Sequence, residues 1–481
     1  MNNLPAAFSQ AVTQHRDRIA LIDGQGQSVS FGELQQRSQH FATRCAASGI
    51  GKGDRVLVAT PVGINLYVVL SAIWTLGAVA VFPEPALGLK GLRHAAQVTK
   101  PKAYFTSGIL RLLSFIVPEL WGLPVFQPDK NPVGDVDVHD AALHPDDLSL
   151  ISFTSGTTGK PKAIPRSHRF MMAQHHAVKS MLESAKPERD LVAFPVFVLV
   201  NLAAGRTSVL PNWKLTKHDK VSANRIGKWI EAQCITRLLF PPVLCETLAD
   251  GLETNSLAKI DSIFTGGGPV FPDIIEKLKT LAPTMRIVSV YGSTEAEPIA
   301  ELEASDTSHE DLVAMRAGGG LLAGHPIHAV QMRTLEGEIL VTGDHVNKAY
   351  LDPVQDQETK FVEDGVIWHR TGDAGRIDEM GRLWLLGRWG QDIETEIGTL
   401  HPFAIETAVR FWPGVHRAAL SRSVNCPVLA IEGDPNYIPI WTENAAQYGL
   451  GDVRHIVKIP MDRRHRSKVD SRQLEKILNA S

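Results

Sequence analysis

The segment Thr154-Ser155-Gly156-Thr157-Thr158-Gly159-Lys160-Pro161-Lys162 constrains this chain more than any other stretch. Its glycines let backbone N–H groups approach an oxygen-rich ligand with no Cβ in the way. The hydroxyls of Thr154, Ser155, Thr157 and Thr158 add donors, and Lys162 adds positive charge. Such a loop suits a polyphosphate. The G-x-x-x-x-G-K-S/T spacing of a Walker loop is absent, which excludes that phosphate-binding device. Residues 148–153 read as a strand directly before the loop, and strand ends are where open α/β sheets hold ligands.

Strand-length apolar runs recur at residues 55–59, 78–82, 237–240, 260–264 and 287–290, with amphipathic stretches such as 31–48 and 273–281 between them. This alternation predicts parallel sheets covered by helices, an α/β fold. Around Asp344 the texture changes: residues 338–342 and 381–387 read as shorter strands between turns, a β-rich subdomain. The chain is expected to divide near Gly387-Arg388-Trp389-Gly390 into a large domain, residues 1–389, and a smaller α+β domain, residues 390–481.

A net charge of -3 gives no electrostatic reason to bind nucleic acid or an anionic membrane. The most apolar window, residues 66–82, is interrupted by Gly77 and turns β-like after it, so a buried helix feeding a buried strand is expected rather than a membrane span. The N-terminal residues lack the basic and apolar regions of a signal peptide, and a cytoplasmic location is expected. Cys45, Cys234, Cys245 and Cys426 show no C-x-x-C spacing and sit in mostly apolar or helix-like surroundings, which predicts buried thiols.

Further motifs follow the loop. Thr265-Gly266-Gly267-Gly268-Pro269-Val270 and Tyr291-Gly292-Ser293-Thr294-Glu295 each follow a predicted strand. His369-Arg370-Thr371-Gly372-Asp373 precedes Gly387-Arg388, and Ser467-Lys468 ends a basic run near the C-terminus. Taken singly, the glycine run also suits a strand-to-helix turn, Asp373 a turn, and the basic run a solvated tail.

Together, in this order, the motifs resemble those of the adenylate-forming enzymes, the superfamily of acyl-CoA synthetases, peptide-synthetase adenylation domains and beetle luciferases. The resemblance spans nearly the whole chain and implies a large multi-sheet N-terminal domain with a small mobile C-terminal one. It also implies ATP and Mg²⁺ as cofactors and a carboxylic acid activated as acyl-AMP. By that resemblance Thr154 to Gly159 and Lys162 would hold phosphates, while Gly266, Gly267 and Gly268 would receive the adenine. Tyr291 would stack on the purine beside Gly292 and Ser293. Thr294 would bond the α-phosphate, and Glu295 would hold Mg²⁺, a hard cation that prefers oxygen. Asp373 and Arg388 would meet the ribose. Lys468 would neutralise charge as the acyl-AMP bond forms, a placed charge of the kind that dominates catalysis.

Three positions depart from the family pattern. His369 replaces an aromatic residue, Val198 stands where a guard side chain of the acyl site is usual, and Gly390 replaces a hinge Asp or Lys. Phe197, Val198 and Phe240 are expected to wall the acyl site, and their apolar character implies a hydrophobic acid. Within the superfamily the texture is nearest to the β-lactone synthetases of bacterial olefin synthesis, in which a β-hydroxyl of the acid attacks its own acyl group. The first expectation is nevertheless transfer to a thiol, CoA or an acyl-carrier protein. Ring closure without CoA is the second, and a nucleotide-binding protein with degenerate chemistry the third.

Overall fold

The computed structural model describes residues 3–84, 87–129, 136, 138–154, 161–395, 397–423, 426–462 and 468–480, with only the backbone of Asp219. The apolar runs form two main sheets. One has six strands in the order Val125–Phe126, Ala103–Thr106, Arg55–Ala59, Val79–Phe82, Leu148–Phe153 and Ala163–Ser167. Its neighbours are parallel except for the last pair, where Phe153 faces Ala163 in an antiparallel hairpin. The phosphate loop therefore joins two strands of one sheet.

The second sheet has fourteen strands. Ile19–Ile22, Thr207–Val209, Arg189–Val192, Arg237–Phe240, Ser262–Gly266 and Arg286–Ser293 make its parallel part. From Ala296–Glu303 onwards the pairing turns antiparallel, through Leu321–Pro326, Leu383–Arg388, Val366–Ile377 and Glu338–Thr342. The β-rich region expected from the sequence is this antiparallel wing. Val56 and Val58 of the first sheet share one buried cluster with Val192, Phe264 and Val288 of the second. The helix Ile64–Thr75 lies in that cluster and leads into Val79–Phe82, as the interrupted apolar window predicts. No helix among the described residues is long and apolar enough to cross a membrane.

Two local expectations need correction. The strand expected at 260–264 runs from Ser262 to Gly266, because Gly266 must pair closely with its neighbour: a Cβ there would lie 2.4 Å from the Val290 carbonyl oxygen. Cys45 and Cys245 are buried, but Cys234 and Cys426 are exposed. Cys234 occupies a positive-φ turn after the helix Ala223–Ala232, and apolar flanks do not report where a helix ends.

A charged pair sits inside the parallel part of the large sheet. Arg237 grips Asp190 through Nε and Nη2 at 2.9 and 2.8 Å, with the two side chains 1% and 0% exposed. Its Nη1 donates to the Leu182 carbonyl at 2.8 Å, and Asn201 donates to both Asp190 and Ser208. The helices His168–Met181 and Pro195–Ala203 are thus tied to the strands beneath them.

Among the described residues, strands beyond Arg388 pair only with one another: Ile393–Thr395 with Gly398–Leu400, and Val415–Ser423 with Cys426–Gly433 and Asp452–His455. This small unit is clamped to the rest by ions. Arg410, 5% exposed, reaches Asp273 with contacts of 3.1 and 2.6 Å and lies 3.7 Å from Glu246. Arg417 pairs with Glu246 and, at 3.2 Å, with Glu432. Phe271 stacks under the Arg410 guanidinium. Inside the small unit Glu406 is buried and accepts only the Leu420 N–H, at 3.1 Å, among the bonds of the described residues; burial pushes its carboxyl up to about 8.

Two outcomes follow from these buried charges. Arg237→Ala strands Asp190 without its counter-charge and should cost about 3–5 kcal/mol in urea unfolding. Glu406 holds its proton more tightly when folded, so stability should fall as pH rises from its unfolded value near 4.5 towards about 8. Glu406→Gln should flatten that dependence in unfolding measured across the same range.

Candidate active site

Three of the residues expected to meet the nucleotide, Tyr291, Asp373 and Arg388, are joined by hydrogen bonds. Tyr291, in the strand Arg286–Ser293, donates its hydroxyl to Asp373 Oδ2 at 2.7 Å. Asp373 Oδ1 accepts Arg388 Nη1 at 2.9 Å, since Asp373 and Arg388 are register partners on adjacent strands. Burial and the Asp373 carboxylate push the Tyr291 phenol well above its ordinary range, so it remains a donor.

Glu295 follows at the turn out of the same strand. Burial alone would raise its carboxyl, but His369, the Tyr350 hydroxyl and Lys360 together hold it below the usual carboxylate range. Tyr350 donates to Glu295 Oε1 at 3.0 Å. Two ammonium groups flank the Tyr350 ring: Lys162 at 5.3 Å and Lys360 at 5.0 Å from its centroid. Lys360 also bonds the Asn347 carbonyl at 2.6 Å and lies 3.1 Å from His369 Nδ1. Burial lowers Lys360 to about 8 and His369 to about 4, so His369 is neutral near pH 7.

Thr294 is held through its carbonyl, which accepts Arg166 Nη2 at 2.6 Å from the strand that follows the phosphate loop. The neighbouring Ser293 hydroxyl is buried with no protein partner among the described residues, as a ligand-facing donor would be. Thr154 closes the base of the loop by donating its N–H to the Lys162 carbonyl at 3.0 Å. Ser155, Gly156, Thr157, Thr158 and Gly159 lie outside the described residues.

Lys468 enters from the small unit on a pinched hairpin: its N–H donates to Asp462 Oδ1 at 3.0 Å, and Met461 bridges to Val469. The residue keeps an exposed face, yet its surroundings include Asp373, Arg388 and Glu295. Burial, opposed by Asp373, lowers its ammonium below the usual lysine range.

Beside this cluster lies a small, mostly apolar cavity. Phe194, Phe197, Leu239, Phe264, Gly266 and Gly267 are among its walls, with Gly292 and Glu297 also lining it. Phe194 and Phe197 meet edge to face at 5.6 Å. Gly267, at φ +80, would carry a Cβ 3.4 Å from the Phe194 ring; half-buried Gly268 follows it.

Of the three residues expected to wall the acyl site, Phe197 lines this cavity and Val198 and Phe240 do not. Val198 is one residue further round its helix and fully buried in the inter-sheet core, so the missing guard side chain leaves no opening there. Phe240 points to the opposite face of its strand, against Trp213 at 6.2 Å, and Leu239 faces the cavity instead. Arg166, Lys360 and Glu297 were not singled out from the sequence. A charged residue inside a strand-length run was the only signal for Arg166, and Glu297 lay unnoticed two positions beyond a recognised motif.

Two sheets sharing a core, a polar cluster of Tyr291, Glu295, Asp373 and Arg388, and a small unit whose Lys468 lies near that cluster are together the architecture of an adenylate-forming enzyme. Residues 8–351 match the model of the AMP-binding enzyme family, and the chain belongs to that family. It is an AMP-forming acid ligase. It is similar to an olefin beta-lactone synthetase of Xanthomonas campestris, 27% identical over 90% of this chain and 87% of that protein. It is also similar to the peroxisomal OPC-8:0-CoA ligase 1 of Arabidopsis thaliana, 28% identical over 84% of this chain and 79% of that one. In structure it resembles the amide bond synthetase McbA of Marinactinospora thermotolerans, with a TM-score of 0.82 at 20% identity over 99% and 100% of the two chains.

Lys468→Ala should lower ATP–pyrophosphate exchange by about 10²–10³, the effect of removing one placed electrostatic stabiliser. Because the ammonium loses its proton below the usual lysine range, exchange should decline at alkaline pH, and Lys468→Arg should extend activity upward in a pH–rate profile.

Proposed function

We propose that this enzyme couples ATP to a hydrophobic carboxylic acid as acyl-AMP and that a β-hydroxyl of the same acid then closes on the acyl carbon, releasing AMP and a β-lactone. Activation as acyl-AMP followed by acyl transfer is the chemistry of its relatives. The observation that carries the proposal is the clustering of Tyr291, Glu295, Asp373, Arg388 and Lys468, with Val290 and Gly292 of the Tyr291 strand lining an apolar cavity. Asp373 and Arg388 would fix the ribose, and Lys468 would meet the charge that develops between carboxylate and α-phosphate. Glu295 is ionised with one oxygen engaged by Tyr350, a donor set that suits Mg²⁺ shared with substrate phosphates. When bound, the ion would neutralise the departing pyrophosphate. The Lys162–Tyr350–Lys360 stack places two further cations next to Glu295 on the phosphate side.

The choice of an internal hydroxyl over a thiol is supported by the ion clamp. Arg410, Asp273, Glu246 and Arg417 hold the small unit in the arrangement that brings Lys468 to the nucleotide, and a tethered nucleophile needs no second arrangement. The likeness to the Xanthomonas synthetase agrees. A thiol acceptor, CoA or a carrier protein, is the second reading. It is supported by the plant CoA ligase and by Gly390 and Gly398, both at positive φ with open space around them, where backbone rotation meets little resistance. A domain boundary at residue 390 fits either reading.

A long β-hydroxy acid with ATP and Mg²⁺ should give AMP, pyrophosphate and a β-lactone without CoA, detected by mass spectrometry. Acyl-CoA formed whenever CoA is present, with no lactone from any β-hydroxy acid, would establish the second reading.

A further inference from the structure

We propose that residues 88–123, the layer covering the outer face of the six-stranded sheet, form a docking surface for an anionic lipid bilayer. The proposal is independent of which acceptor takes the acyl group. Two connections build the layer. The helix Gly88–Thr99 leads from Val79–Phe82 to Ala103–Thr106, and the short turns Gly108–Leu112, Leu113–Ile116 and Pro118–Leu120 lead on to Val125–Phe126. Both seat on the side of the sheet turned away from the shared core, where Leu92 and Ala96 cluster with Val117 and Leu120 over Leu57 and Tyr104. Glu119 ties them together by accepting Arg93 Nε at 2.9 Å and Gln97 Nε2 at 2.7 Å.

The second connection is apolar on both sides. Val117 and Leu120 seal the sheet, while Ile109, Phe115, Ile116 and Trp121 face water at 78%, 74%, 64% and 64% exposure. Seven of the twenty large apolar side chains exposed among the described residues fall within residues 88–123. Single exposed apolar residues need no explanation, but such a concentration marks a binding surface. The aromatic side chains stand on a braced turn: Trp121 Nε1 donates to the Phe115 carbonyl at 3.1 Å, and the Tyr104 hydroxyl to the Leu110 carbonyl at 3.0 Å. The polar edge of the indole is satisfied inside the turn, and its ring is left as outward apolar surface.

Charge selects the occupant. Residues 88–123 hold Lys90, Arg93, Lys100, Lys102 and Arg111 against one carboxylate, Glu119, in a chain whose net charge is -3. The whole-chain value conceals this local excess. All five cations are exposed. Arg93 pairs with Glu119 and Lys102 with Asp54, whereas Lys90, Lys100 and Arg111 form no ion pair among the described residues. A second copy docked through the same face would set like charges against each other. Side chains that stand so far clear of the surface are wedges, which suit a fluid acyl layer better than a shaped protein. Acyl chains would take the aromatic and aliphatic tips, and anionic headgroups would meet the cations around them. His94 Nε2, in the same layer, lies 3.1 Å from the Pro161 carbonyl, so the docked face borders the segment 154–162.

The test sediments the full chain with vesicles of phosphatidylcholine alone and of phosphatidylcholine mixed with phosphatidylglycerol, at increasing salt. Binding should be confined to the mixed vesicles and should weaken as salt rises. Phe115→Ser combined with Trp121→Ser should lower partitioning about 10²-fold through the apolar area withdrawn. Lys90→Ala combined with Arg111→Ala should lower it about 30-fold through charge. Both doubly substituted chains should keep wild-type ATP–pyrophosphate exchange with any acid the wild type activates, which shows that they fold. Brominated acyl chains in the mixed vesicles should quench part of the tryptophan emission, and Trp121→Phe, which keeps an apolar ring, should bind but lose that part. Absence of binding to anionic vesicles at low salt overturns the proposal, as does binding that both double substitutions leave unchanged or quenching that survives Trp121→Phe. Vesicles left unbound by a chain that dimerises unless Trp121 is replaced by serine would give the face to a second copy. Vesicles left unbound by a chain that binds polyglutamate through Arg111 would give it to an acidic protein, and either result overturns the lipid assignment.

Discussion

Arg237 and Asp190 form a guanidinium–carboxylate pair shut off from water in the middle of the large sheet, and the pair anchors two helices that wall the apolar cavity. Charges so placed are tolerated only when every partner is held, so the pair imposes its geometry on its neighbours. Through the Leu182 carbonyl it fixes the end of the helix whose residues Val178 and Met181 line the cavity. Through Asn201 it fixes the helix that carries Phe197. The walls of an apolar pocket are thus positioned by a polar knot beneath them, and directional bonds fix the two helices against a slide that apolar packing alone would resist less.

The nucleotide side of the site was legible in the sequence because its signals are local. Glycines, hydroxyls and single acids at strand ends declare themselves over five or six residues, and the strands before them are continuous apolar runs. The parallel part of the fold was legible for the same reason. Which face a residue presents was harder to read. Val198 and Phe240 each neighbour a true wall residue, and one step along a helix or strand moves a side chain to another environment. The continuity of the β-rich region with the parallel sheet was hidden as well, since pairing between distant strands leaves no local mark.

Tyr350 links functions that the motifs present separately. Its hydroxyl sets the orientation of Glu295, while its ring lies beside a lysine from the phosphate loop and a buried lysine from another strand. Two like charges held beside one ring repel each other, and the Glu295 carboxylate next to them offsets that repulsion.

The ion clamp on the small unit sets a clock. Swinging that unit away exposes Arg410, Asp273 and Glu246 together, and the barrier rises with each contact that must break before water can replace it. Any displacement of the small unit must therefore first break a cluster that lies away from the nucleotide residues. Ionic strength weakens such a cluster from its rim inward, so the hold on the small unit becomes a property of the surrounding salt as much as of the residues that make it.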